Sequence, residues 1–199
     1  MGTVSVYNEQ EALKEIDEAA IRKTVQRISN KLGYDTYDVT LLLVDDEEMR
    51  ETNLESRGID SPTDILSFPF HCHKKAGLLE EPEFDIPDYY TLGDMVICVP
   101  YVIRRCQEDL LQKQSTGGSS EENKNNNNND GEYDDDSDLV EEDRGVSGAM
   151  ADVNDPEKRI RMLLVHGMLH LVGYDHIEDE DYKEMVAREE ALLRDLGDL

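Results

Sequence analysis

Three histidines lie within eleven residues, in the run His166-Gly167-Met168-Leu169-His170-Leu171-Val172-Gly173-Tyr174-Asp175-His176. Nothing else in the chain constrains its folding as much. On a helix, His166 and His170 leave the same face one turn apart. Gly173 can take the left-handed conformation that ends a helix, so the chain can turn back and bring His176 toward the first two. Three neutral imidazoles converging on one point are the ligand set of a zinc ion whose fourth position is open to water, whereas a site closed by four protein ligands is structural. A lone histidine on an apolar helix face is ordinarily a satisfied core residue. A third one at this spacing, across a glycine, is not explained that way.

The spacing matches the zinc-protease pattern His-Glu-x-x-His-x-x-Gly-x-x-His with one substitution. Gly167 stands where that pattern has the glutamate that serves as general base, and glycine accepts no proton. Peptide hydrolysis by that route is therefore disfavoured. A water activated here depends on the metal, which can lower its pKa to about 7, or on a base from elsewhere in the chain.

The run resembles the signature of the YbeY family, single-domain metal-dependent endoribonucleases also called ribosomal RNA maturation factors. Two further segments are similar to the same family: Arg57-Gly58-Ile59-Asp60-Ser61-Pro62-Thr63-Asp64-Ile65-Leu66-Ser67-Phe68-Pro69 and Leu92-Gly93-Asp94-Met95-Val96-Ile97-Cys98. The resemblance covers nearly the whole chain apart from one insert. It implies a hydrolase acting on RNA, in the trimming of single-stranded regions of ribosomal RNA and in ribosome quality control. It also implies one zinc per chain on His166, His170 and His176, and Arg57 as a cleft residue needed for activity. Ribosomal RNA and proteins of the small ribosomal subunit are the partners to expect.

At 199 residues the chain fits one domain, with room for an insert. No apolar stretch is long enough to span a bilayer, so no membrane association is expected. The first thirty residues lack the apolar core of a signal peptide and carry Glu9, Glu11, Glu15, Asp17 and Glu18, which argues against an intact transit peptide. Localisation is thus cytoplasmic, or an organelle (mitochondrion or plastid) if a transit peptide has been removed. Cys72, Cys98 and Cys106 form no Cys-x-x-Cys pair and are odd in number, which favours buried free thiols in a reducing compartment. His71 and His73, flanking Cys72, are read as part of a polar loop rather than as a second metal site.

A net charge of −27 sits awkwardly with RNA, because phosphate contacts normally come from a basic surface. Residues 113–150 hold eleven acids against three bases, a net of −8, so the other 161 residues still carry −19. Either a few cations (Arg57, Arg104, Arg105, Lys158, Arg159, Arg161) gather around the cleft, or affinity comes from a partner protein or a ribosome surface.

Apolar spacing predicts a strand over Val4 to Tyr7, an amphipathic helix from Glu9 to Leu32 closed by Gly33, and a buried strand from Val39 to Val44. Asp45 or Asp46 caps a short helix reaching about Asn53, which leaves Arg57 in a Gly/Pro-punctuated loop. A strand follows from Ile65 to Phe70, confined by Pro69 to a sheet edge. A long loop from Lys74 to Tyr90, a strand from Leu92 to Val99 and a helix from Pro100 to about Gln112 come next. Residues 114–150, with five consecutive asparagines and Asp134-Asp135-Asp136, read as a disordered acidic, Asn-rich insert within the single domain 1–199. Asp155 then caps the metal helix with Pro156 at its first position, and a last helix runs from about Glu178 to Leu196. The fold class is α+β: one mixed sheet of roughly four strands covered by helices, with the metal helix across the sheet facing Arg57.

The leading function is a zinc-dependent, single-strand-specific endoribonuclease in which Arg57 stabilises charge developing on the phosphate. Asp64, Ser67 and Asp94 are candidates to orient a histidine or the water, while Tyr174 and Asp175 shape the turn carrying His176. A different class is a non-catalytic ribosome-assembly factor with a structural metal; metallopeptidase is a weaker third because of Gly167.

Overall fold

Alternation along β2 (Asp38–Val44) sets the layers. Val39, Leu41 and Leu43 point into the main core, and Leu42 and Val44 into a smaller apolar cluster on the opposite sheet face. The computed structural model describes residues 2–13, 16–73, 75–79, 86–116, 150 and 153–197. Within them one four-stranded sheet runs in the order β1 (Val4–Asn8), β2, β4 (Thr91–Cys98), β3 (Ile65–Pro69). The first three strands are parallel, and β3 lies antiparallel to β4 at the sheet edge, where Pro69 ends it. This is the expected α+β fold with a mixed sheet.

Five helices cover the sheet among the described residues: α1 (Glu18–Leu32), α2 (Asp46–Arg57), α3 (Val99–Thr116), α4 (Pro156–Leu171) and α5 (Asp179–Leu196). Helix α4 is the hub of the main core. Ile160, Leu163, Leu164, Met168 and Leu171 are all buried, against Val25 and Ile28 of α1, Met95 and Ile97 of β4, and Leu192 of α5. Each such side chain contributes about 1.5–3 kcal/mol relative to exposure. On the other sheet face Met49 of α2 closes a cluster with Val44, Leu66, Val96 and Cys98. None of the described helices is long and apolar enough to cross a membrane.

Four expected boundaries change. The first helix starts at Glu18, not Glu9, because Asp17 accepts from the Ala20 N–H and caps it there. Upstream, the Gln10 side chain ties a loop together through Asn8 and both backbone groups of Leu13. Helix α2 runs past Asn53 to Arg57 and ends only at Gly58 (φ 75°). Helix α3 continues to Thr116, and Met150 is 1 % exposed in the main core, so the insert drawn as 114–150 is too wide at both ends. Residues 117–149 lie outside the described residues.

Candidate metal centre

Asp155 accepts from the Lys158 N–H and Pro156 opens the first turn, so α4 begins where the sequence says. Its other end is fixed by a Schellman arrangement: Tyr174 N–H donates to the Leu169 carbonyl at 3.0 Å and Gly173 N–H to His170 at 2.9 Å. Gly173 has φ 88°, and a Cβ there would lie 2.4 Å from the His73 ring. Both the reversal and the crowding require glycine. The Asp175 carboxylate then accepts from His176 N–H at 2.7 Å, so Tyr174 and Asp175 do shape the turn.

The reversal brings the three imidazoles together. Ring centroids are 4.7 Å apart for His166 and His170, 4.9 Å for His170 and His176, and 5.5 Å for His166 and His176. One ring nitrogen from each lies within 4.8 Å of the others, which makes them a group able to hold a metal ion. His71 and His73 are not part of that group, although His73 lines the same cleft. The donor set fits a divalent metal. His170 Nδ1 is 3.0 Å from the Tyr174 carbonyl, so it donates there and leaves the Nε2 lone pair facing His166 Nε2 at 3.1 Å. Burial first, then the His166 and His176 rings beside it, push the His170 pKa down to about 3. The imidazole is neutral at pH 7, as a ligand must be.

The cleft around these rings measures about 780 Å³, and Arg57, Asp64, Ser67, Asp175 and the exposed Ile59 and Ile177 contribute to its walls. Ile65, Ser67 and Pro69 reach it because they alternate along one face of edge strand β3. Arg57 is exposed on the last turn of α2 rather than in a loop, and no carboxylate among the described residues pairs with it. Asp94 does not reach the cleft. Its neighbours Met95 and Ile97 face α4, so the same alternation turns Asp94 to the opposite sheet face, where it is exposed. The other cations are not gathered here either. Arg104 is held by Asp46, Arg105 by Glu108, Arg159 by Asp109 and Arg161 by Glu157.

Gly167 packs face-on against the sheet, where a Cβ would sit 2.6 Å from Met95 Sδ and 2.7 Å from Ile65 Cδ1. Crowding two buried side chains costs about 1–3 kcal/mol, against about 1 kcal/mol gained from alanine's helix propensity. Gly167→Ala is therefore expected to lower stability by about 1 kcal/mol in urea unfolding. A variant more stable than the parent would show that the helix–sheet contact has slack.

One site residue escaped the sequence reading. Glu189 of α5 is 2 % exposed, and its Oε1 lies 3.3 Å from His166 Nδ1. The signal was present: Met185, Glu189, Leu192 and Leu196 form the buried stripe of α5, and only one of them is charged.

The Endoribonuclease YbeY family model matches residues 5–116 and 144–197. Similar proteins named Endoribonuclease YbeY include one from Homo sapiens, 28% identical over 182 residues, covering 92% of this chain and 81% of that one. The relative from Halalkalibacterium halodurans is 29% identical over 196 residues, 98% of this chain and 95% of the other. That from Heliobacterium modesticaldum is 32% identical over 172 residues, 84% and 75%. The match stops at Thr116 and resumes at Arg144. Deleting residues 117–143 and joining the ends with a short Gly/Ser linker is expected to keep thermal unfolding cooperative with a midpoint within a few degrees of the parent; a collapsed transition would mean that the segment packs. The histidine cluster, the Arg57 segment and the β4 segment all fall inside the matched residues, and the chain belongs to the Endoribonuclease YbeY family.

Proposed function

We propose that this protein is a zinc-dependent, single-strand-specific endoribonuclease acting in ribosomal RNA maturation and ribosome quality control. The observation that carries the reading is the convergence of His166, His170 and His176 in one cleft with Arg57, which pairs with no carboxylate among the described residues, in a chain of this family. His166, His170 and His176 would hold the zinc, which would supply Lewis acidity toward a water or a phosphodiester oxygen. Arg57 grips the phosphate with two parallel N–H donors and stabilises the negative charge that grows on it. Asp64 and Asp175 are the cleft carboxylates able to take the water's proton, and each is oriented by a main-chain N–H, that of Ile65 at 2.7 Å and that of His176 at 2.7 Å. Ile59 and Ile177, 49% and 72% exposed at the cleft, offer apolar contacts to bases that only a single strand can splay out.

With Arg57 the single cation lining the cleft among the described residues and a net charge of −27, this surface holds long RNA poorly by itself. A small-subunit protein or the ribosome surface supplies the rest of the affinity. The same charge favours the second reading, a non-catalytic assembly factor with a structural metal. Incubation with single-stranded RNA, duplex RNA and a peptide, each with and without chelator, separates them. Chelator-sensitive cutting of single-stranded RNA alone is expected. Intact RNA under every condition favours the assembly factor, and peptide cleavage would sink both.

A further inference from the structure

Glu189 is a glutamate in an apolar stripe, and two unpartnered atoms meet there. Glu189 Oε1 and His166 Nδ1 are both buried, neither makes a hydrogen bond, and they lie 3.3 Å apart, off the angle of a hydrogen bond. An unpaired carboxylate in a protein interior is costly, so a lasting one has a partner to gain. The partner in reach is the Nδ1 proton of His166. A carboxylate facing Nδ1 favours the tautomer that carries its proton there, which leaves the lone pair on Nε2. His170 is set the same way by the Tyr174 carbonyl. Two lone pairs then face each other at 3.1 Å across the His166–His170 gap, an arrangement that repels unless a cation bridges it.

We infer that Glu189 is a positioning residue for the metal: it fixes His166 with Nδ1 protonated and makes Nε2 a more basic ligand. The inference rests on the metal reading given above. Carboxylates behind ligating histidines orient the ring, and their loss typically weakens metal binding by about 10–100-fold. Glu189 also places α5 against the helix that carries two of the histidines, with its Oε1 3.3 Å from His166 Nδ1.

The test is zinc affinity by competition with a chromogenic chelator, measured on the full chain. Glu189→Gln keeps an acceptor of the same shape and loses the charge; Glu189→Leu removes both. Zinc should bind about 10-fold more weakly to the Gln variant and about 100-fold more weakly to the Leu variant. The Nδ1–H signal of His166 in imidazole 15N spectra should persist in Gln and weaken in Leu. A purely structural role predicts shifted unfolding midpoints with affinities of the folded variants within twofold of the parent, and that result overturns the inference. A parent chain that binds no zinc removes the metal reading itself, an outcome distinguishable from the first.

Discussion

Replacing His166, His170 or His176 singly with alanine will weaken zinc binding by about a hundredfold or more. Zinc sites with four protein ligands bind with about 10–16 kcal/mol of apparent free energy, roughly 3 kcal/mol for each ligand. At 1.4 kcal/mol per factor of ten, losing one ligand comes to at least two orders of magnitude. One ring nitrogen from each histidine lies within 4.8 Å of the others, so no distant group can substitute for a lost one without moving α4 or the turn after it. Replacing His71 and His73 together should leave zinc content unchanged, since neither belongs to the cluster. Elemental analysis after dialysis decides the matter. Undiminished zinc in all three single variants would place the metal elsewhere.

Arg57→Ala and Arg57→Lys should each lose about a hundredfold in RNA cleavage, the cost of about 3 kcal/mol for a charge contact made in the transition state. Zinc content and thermal stability should be retained. Arg57 ends α2 with its side chain exposed, so it contributes little to packing. It lines the same cleft as the histidines without a carboxylate partner among the described residues, which leaves its donors for a substrate. Lysine fails because an ammonium cannot reproduce the two parallel donors of a guanidinium. Binding of uncut RNA should fall much less than turnover. An Arg57→Lys variant that cleaves at the parent rate would reduce Arg57 to a generic cation.

The metal helix was the most legible part of the sequence, because its signals are local. Asp155 and Pro156 mark its start, Gly173 marks its end, and the histidine spacing brings His166, His170 and His176 together. The edge strand was legible for the same reason, through Pro69. What periodicity could not supply were side chains that override it. Leu13 and Ile16 fit a helical stripe, yet the Gln10 hydrogen bonds hold Leu13 in a loop and Asp17 delays the helix to Glu18. Met150 looked like the tail of a polar insert because a single apolar residue has no period to show. Asp94 was misplaced although the alternation of Met95 and Ile97 already fixed its face. Glu189 was passed over because a charge inside an apolar stripe reads as noise until its neighbour across the helix pair is known.

The contact beneath Gly167 bears on how such a site changes chemistry over evolution. Between His166 and His170 the helix presses its backbone onto Met95 and Ile65. The position that would have to gain an acid for protease-type catalysis is thus already used up as the spacing between two layers. A change to glutamate there has to push those two side chains aside, at about 1–3 kcal/mol, before the new carboxylate can act. The pattern of letters is shared with zinc proteases, but packing against the sheet penalises the step between them.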